Sequence, residues 1–329
     1  MLLSRCKPTH LSRFIIPTIL SRDVNYPRGS ATAEFKYRLR RPKLLAQGIN
    51  VLYYKLATHL QDCPSGVDVV NKDWDNLLIL DACRYDMFER AYRERESLEG
   101  NLRCVRSQAP YTNEFLNRNF GGRELHDTVY VTSSPHIHRS NRGEVGEIDD
   151  DFHAIRHIWR QDHHPSTLTD AAMEAVEAFP NKRLVFHYIP PHWPFFGPTG
   201  QKLFDGYDDG APWEALTSGE DSVPLDKLRT AYQENLDIAL DHVERLIPEL
   251  NGKTVVTADH GQLLGEREFP IPIRGYGHPG LRVPELVEVP WLEVPVERRR
   301  QIRSEPPETT EETIDNGRAV EALKDLGYV

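Results

Sequence analysis

The hydrophobic positions of this chain follow two periods. Asn76-Leu77-Leu78-Ile79-Leu80 holds a continuous apolar run that ends in Asp81. Val129-Tyr130-Val131 is a second run, Arg183-Leu184-Val185-Phe186-His187-Tyr188-Ile189 a third, and Thr254-Val255-Val256-Thr257-Ala258 a fourth that leads straight into Asp259. Runs of this kind suit strands buried on both faces, as in a parallel sheet. Helical patterns lie between them. One covers Thr169 to Phe179, with Thr167 or Thr169 as its N-cap. The clearest covers Leu225 to Ile247, where Leu236, Leu240, Val243 and Ile247 fall on one stripe. Pro248 and then Asn251-Gly252 stop that helix. Alternating strands and helices predict an α/β fold, a largely parallel central sheet with helices on both faces. Ligands of such sheets bind beyond the carboxyl ends of the strands. Asp81 and Asp259 stand at two of those ends, His187 lies within its strand and His192 just past it.

Outside residues 73–295 the pattern weakens. Residues 1–72 read as an N-terminal extension or cap. Its basic run, Lys36-Tyr37-Arg38-Leu39-Arg40-Arg41-Pro42-Lys43, is followed by a weakly helical stretch from Leu44 to Leu60. The run is either a solvated face or an attractor for an anionic substrate or surface. Residues 196–224 are rich in Gly, Pro, Asp and Ser without a period, which predicts a long lid, binding loop or mobile insertion. Residues 296–329 read as a charged, Pro-rich linker (Glu297 to Glu312) and a short helix from Asn316 to Leu326.

The bulk numbers narrow the class. The 329 residues are 39% hydrophobic and 27% charged, enough for a sizeable core. A formal charge of -10 argues against a general nucleic-acid binder. No stretch reaches the ~18 uninterrupted apolar residues of a membrane span. The apolar run Phe14 to Leu20 is broken by Pro17 and lacks a small-residue cleavage site, so a signal peptide is not expected. Cys6, Cys63, Cys83 and Cys104 have no C-x-x-C spacing, and they read as reduced thiols of a cytoplasmic protein.

Four clusters carry candidate chemistry. In Asp81-Ala82-Cys83-Arg84-Tyr85-Asp86, a carboxylate closes a buried strand. That is costly unless the group is paired or binds a metal, although Asp81 could also cap the next helix. In Ala109-Pro110-Tyr111-Thr112, a proline turn sets Thr112 at a helix N-terminus, as a plain N-cap or as a hydroxyl beside an anion site. In His187-Tyr188-Ile189-Pro190-Pro191-His192-Trp193-Pro194, prolines hold His192 in stiff extended backbone. Asp259-His260-Gly261-Gln262, followed by Gly277-His278-Pro279, offers a hard oxygen beside imidazole nitrogens, a mixture suited to Zn²⁺ or Mn²⁺. Its plain reading is a strand-end turn.

The ordered set Leu-Asp-x-x-Arg-x-Asp, Ala-Pro-Tyr-Thr, Pro-His-Trp-Pro, Thr-Ala-Asp-His-Gly-Gln-Leu-Leu-Gly-Glu and Gly-His-Pro resembles the alkaline phosphatase/sulfatase superfamily. Its sulfatase-like and phosphoethanolamine-transferase-like branches are the nearest in look. The terminal Leu326-Gly327-Tyr328 resembles sulfatase-like chain ends. The resemblance implies an alkaline-phosphatase-like domain over residues 73–295 and a metal-dependent phosphoric-ester hydrolase or phosphotransferase. It implies Thr112 as nucleophile bridging to a metal held by Asp81, Asp259 and His260. His192 and His278 are then expected on the transferred group or a second metal, with His187 and Arg84 just behind the ligands. The cofactor implied is one or two divalent ions, Zn or Mn, and the substrate an anionic ester, a glycan or lipid phosphate by family analogy. Two departures matter. No Cys/Ser-x-Pro-x-Arg setting exists for formylglycine, and Ala82 stands where many sulfatases carry a second acid. The alternatives are a sulfatase working without formylglycine, a mutase-like enzyme of the same fold, and a non-catalytic binding protein on that fold.

Overall fold

The structure, a computed structural model, describes residues 37–60, 66–137, 151–205, 207, 211–308, 321 and 326. The expected apolar run at 14–20, Cys6, Cys63 and, apart from Glu321 and Leu326, the expected last helix lie outside the described residues.

The chain begins with α1 (Pro42–Leu60), β1 (Asn76–Leu80), α2 (Tyr85–Glu94), β2 (Asn101–Arg106), α3 (Thr112–Asn119), β3 (Glu124–Thr132) and β4 (Asp151–His157). It continues through α4 (Pro165–Ala178), β5 (Arg183–Tyr188), α5 (Pro198–Leu203), α6 (Trp213–Ser218) and α7 (Leu225–Leu246). It closes with β6 (Thr254–Ala258), β7 (Leu263–Arg267), β8 (Arg274–Gly277), α8 (Pro284–Val287) and β9 (Glu288–Glu293). Seven strands form one sheet in the order β2-β9-β6-β1-β5-β3-β4, and β7 and β8 form a separate hairpin. Strands β6, β1, β5, β3 and β4 are parallel, and β9 runs antiparallel to both β6 and β2.

The central strand is apolar from Leu77 to Leu80 because both of its faces are covered. Leu78 and Leu80 of β1, with Val129, Val131, Leu184, Phe186 and Val256, pack against α2, α4 and α7. Leu77 and Ile79, with Tyr130, Val185 and Val255, pack under Phe115 and Leu116 of α3 and under Phe120. Each such side chain contributes about 1.5–3 kcal/mol by leaving water. On α7, Leu236, Leu240 and Val243 are fully buried along the expected stripe. Truncating Leu236 to Ala would cost about 2–5 kcal/mol.

Several expectations are corrected. Helix α4 starts at Pro165, and its N-cap is His164, whose Nδ1 accepts from the Ser166 N–H at 3.2 Å. Thr169 sits one turn inside and donates its hydroxyl to the Pro165 carbonyl. Residues 196–224 are not a bare loop, since α5 and α6 lie within them. Phe204 and Trp213 are buried in an aromatic cluster with Trp193 and Phe195. Helices of six residues are too short to show a period. The charged segment after β9 is laced along the amino-terminal edge of the sheet, with Arg303, Glu305 and Glu308 donating backbone N–H groups to Asn181, His126 and His153. Among the described residues no helix is long and apolar enough to cross a membrane.

Candidate metal centre

Register brings the site together. Leu80 of β1 lies opposite Ala258 of β6, so Asp81 and Asp259, one residue further on, emerge side by side. On the other flank Ile79 pairs with His187 of β5, which sets His187 beside them. All three are fully buried. The turn after β1 is held by unusual backbone: Ala82 has φ 59°, the left-handed region, which costs an L-residue about 1 kcal/mol or more. Three hydrogen bonds fix it. Ala82 N–H donates to Asp259 Oδ1 at 3.0 Å, Tyr232 Oη–H donates to the Ala82 carbonyl at 2.6 Å, and Arg84 N–H donates to Tyr232 Oη at 3.0 Å. Across the site Gly261 is obligatory, because a Cβ there would stand 2.1 Å from the Glu285 carbonyl oxygen.

Thr112 is the first residue of α3 and is buried, with Oγ1 3.1 Å from His260 Nε2. No side chain caps this helix. His260 Nε2 is also 3.5 Å from Asp81 Oδ1 and 3.4 Å from Asp259 Oδ2. The opposite nitrogen fixes the tautomer: His260 Nδ1 is 2.8 Å from the Gly261 carbonyl oxygen, which only accepts, so Nδ1 carries the proton and Nε2 presents a lone pair to Thr112 and both carboxylates. His192 is arranged alike, its Nδ1–H donating to the Trp193 carbonyl at 2.6 Å.

Asp81, Asp259 and His260 bring ligand atoms within 4.8 Å of one another. Two buried carboxylates that close would be costly without a cation between them. Asp259 Oδ2 is buried and, among the described residues, accepts no hydrogen bond, and His187 Nε2, 3.9 Å from it, makes none there either. The donor set, two oxygens and one imidazole nitrogen with Thr112 Oγ1 alongside, fits a divalent cation of the zinc or manganese type.

A ring of imidazoles continues outward. His278 packs between His260 and His192 with its ring tilted to both, the centroids 4.7 and 5.2 Å away. His278 is partly exposed, and its Nδ1 is 3.3 Å from Gln262 Oε1. Burial pushes His187 down to about 4 and His192 down to about 3, so both are neutral at pH 7. Burial, then His260, His192 and His136, hold His278 well below the ordinary histidine value. Arg84 lies behind the site. Its guanidinium grips Asp86 with two bonds, at 2.9 and 2.8 Å, and reaches Glu266 at 2.7 Å and the Gln262 carbonyl at 3.2 Å.

Two histidines escaped the sequence reading. His136 is buried just past β3 in Ser133-Ser134-Pro135-His136, and His163 Nδ1 lies 3.2 Å from the Ser133 carbonyl oxygen. Both interact electrostatically with the ring, His136 with His278 and His163 with His192. The usable signal for His136 was its place beyond the carboxyl end of an apolar strand; for His163 there was none.

No family model matches this chain, and no curated protein sequence does. Solved structures are similar to it. One is the C-terminal periplasmic domain of EptC from Escherichia coli in complex with zinc, 17% identical, covering 69% of this chain and 75% of that one with a TM-score of 0.40. Another is the C-terminal periplasmic domain of the phosphoethanolamine transferase EptC from Campylobacter jejuni, 14% identical, covering 67% and 78% with a TM-score of 0.45. A third is the putative sulfatase yidJ from Bacteroides fragilis, 19% identical, covering 40% and 30% with a TM-score of 0.26. The expectation of a cytoplasmic location is corrected by these matches, since both EptC chains are periplasmic domains. The thiols it rested on do not discriminate: Cys83 is buried and Cys104 exposed, both without a disulfide, and a buried thiol is inert in either compartment. The architecture is a mixed α/β fold around a seven-stranded, mostly parallel sheet, and the solved structures it is similar to include phosphoethanolamine transferase domains and a putative sulfatase.

Proposed function

We propose that the chain is a metal-dependent enzyme of phosphoric esters in which Thr112 is the nucleophile. The observation that carries this reading is the convergence of Thr112 Oγ1, Asp81, Asp259 and the Nε2 lone pair of His260 in one buried spot. A divalent cation held there by Asp81, Asp259 and His260 would favour the ionised threonine hydroxyl and offset charge on the ester oxygens. Thr112 Oγ1 attacks phosphorus in line, the Oγ1–P bond forms, and the ester oxygen leaves with the bonding pair. Water then resolves the phosphothreonine in a hydrolase, or an acceptor hydroxyl in a transferase. The first-turn N–H groups of α3 would donate to anionic oxygens of the bound group. His192 and His278 face the transferred group or hold a second ion. The His192 tautomer, with the proton on Nδ1, suits a cation or a hydroxyl proton better than a phosphate oxygen. Arg84 and His187 act as positioning residues, the first by bracing the turn after β1 and the second through Tyr130 Oη, 2.9 Å from its Nδ1.

The 3.1 Å contact between Thr112 and His260 favours one second reading, in which His260 is a general base for Thr112 and no ion is needed. A sulfuric ester in place of a phosphoric one is a change of substrate on the same geometry. Elemental analysis of protein purified without chelator, for wild type and Asp259→Ala, separates the readings. About one or two equivalents of zinc or manganese, lost in the variant together with activity on aryl phosphates, is the expected result. Full activity after exhaustive chelation would move the assignment to the threonine–histidine pair. Faster turnover of aryl sulfates than of aryl phosphates would move it to a sulfatase.

A further inference from the structure

The β7–β8 hairpin leads into His278 but is no part of the main sheet, since its two strands pair with each other. A two-stranded hairpin is marginally stable by itself. Leu263 lies opposite Gly277, so Gln262 and His278 face each other one residue beyond, at the end nearest the centre. The far end turns through Glu268-Phe269-Pro270-Ile271-Pro272-Ile273. The prolines bring no N–H, so Ile271 offers the one backbone donor between them.

Helix α1 grips that far end. Leu44, Gln47, Asn50 and Val51 are buried along one of its faces. Asn50 treats Ile271 as a neighbouring strand would: its Oδ1 accepts the Ile271 N–H at 2.8 Å, and its Nδ2 donates to the Ile271 carbonyl at 2.9 Å. Nδ2 also donates to Glu268 Oε2 at 2.9 Å, and Gln47 Nε2 donates to Glu268 Oε1 at 2.7 Å. Gly275 on the facing strand leaves room for this carboxylate, because a Cβ there would stand 2.5 Å from Oε1. Val51 packs with Leu263 at the near end. The chain before α1 reaches the hairpin through α6. The Tyr37 hydroxyl donates to Glu214, and Trp213 covers Gly277, where a Cβ would lie 2.9 Å from its Cγ. We infer that Asn50 is a positioning residue for the centre: by locking Ile271 and Glu268 it holds the hairpin in the place that sets His278 against His260 and His192. The inference rests on the reading of His278 as a group that faces the transferred phosphoryl group. A displacement of about 1 Å from a distant substitution can cost about a hundredfold in rate. Asp81 and Asp259 stand at the ends of β1 and β6 and keep their places.

A double-mutant cycle on Asn50 and His278 tests it, read by aryl phosphate turnover well below the melting temperature and by hydrogen exchange. Asn50→Ala should lower kcat about tenfold or more with bound metal unchanged. In a His278→Ala background the same substitution should cost less than about twofold, because the group it positions is gone. Asn50→Asp sets a second carboxylate beside Glu268 and should act like Asn50→Ala. Asn50→Asp/Glu268→Gln swaps amide and carboxylate across the pair and should recover most of the lost turnover. A purely structural Asn50 would lower the melting temperature and leave turnover per folded molecule intact. If Asn50→Ala does not fold, Gln47→Ala, which removes one donor to Glu268, carries the same cycle with a smaller effect. Exchange needs no activity: the amides of residues 274–278 should exchange about tenfold faster or more in Asn50→Ala, with those of β1 and β6 unchanged. A wild type inactive on phosphoric esters whose hairpin is nonetheless loosened by Asn50→Ala would sink the Thr112 reading and leave this one standing. Unchanged exchange in the hairpin, or additive losses in the cycle, overturns the inference.

Discussion

Strand β1 has a buried aspartate at each end, and the two are treated in opposite ways. Asp75, just before the strand, is saturated. It accepts from Arg299 Nε at 2.6 Å, Arg299 Nη2 at 3.0 Å and the Lys253 N–H at 2.7 Å. Burial pushes its carboxyl up, and these donors overcome that and hold it below the ordinary range. Asp81, just after the strand, faces Asp259 and the lone-pair nitrogen of His260 instead. At the first end charge is matched by protein. At the second, on the reading proposed above, a divalent cation would supply the match. A buried carboxylate is therefore informative according to what surrounds it.

The largest effect that could break this comparison is at Thr112. Thr112→Ala should lower kcat by about three orders of magnitude or more, with metal content and melting temperature nearly unchanged. Near-wild-type turnover would remove Thr112 from the chemistry. Next, Arg299→Ala should destabilise by about 1–3 kcal/mol, a range reduced because Arg299 is half exposed, and leave kcat intact. The sign with pH follows from the depressed carboxyls of Asp73 and Asp75. Their contribution is complete above the unfolded carboxylate value, about 4, and is lost as pH falls through the lower folded values. Denaturant melts should show wild type and Arg299→Ala converging under acid conditions; a constant gap would place the stabilisation elsewhere. In chelator, Asp259→Asn should be more stable than wild type by about 1–2 kcal/mol, because it removes a buried charge that the ligand would otherwise match. A lower melting temperature would mean that the carboxylate is structural. Smallest is Ala82→Gly, which relieves the left-handed turn and should add about 0.5 kcal/mol by calorimetry without changing metal content.

The parts of the fold legible in the sequence were those buried on both sides. Strands β1, β5 and β6 showed as unbroken apolar runs, and α7 as a stripe. Strand β2 escaped because its residues are exposed or half-exposed, and β9 because Pro290 breaks the run and its pairing depends on distant strands. Asp81 and Asp259 were readable because strand ends point to the site whatever the partner order. His163 was not, because it reaches the ring through Ser133, thirty residues earlier in the chain. The seating of α1 was hidden for a related reason: Gln47 and Asn50 look like surface residues until the buried Glu268 carboxylate is placed against them.

The position of β1 also sets the order of events in synthesis. It is central in the sheet, yet its two neighbours form only from residues 184–188 and 254–258. While the ribosome completes the chain, Leu77 to Leu80 has no strand beside it. Such a segment is a long-range assembly problem, slow to close and exposed to mispairing. Truncated chains that stop before Thr254 should therefore be held by chaperones or aggregate, and the last strands should act as the release signal for folding of the first.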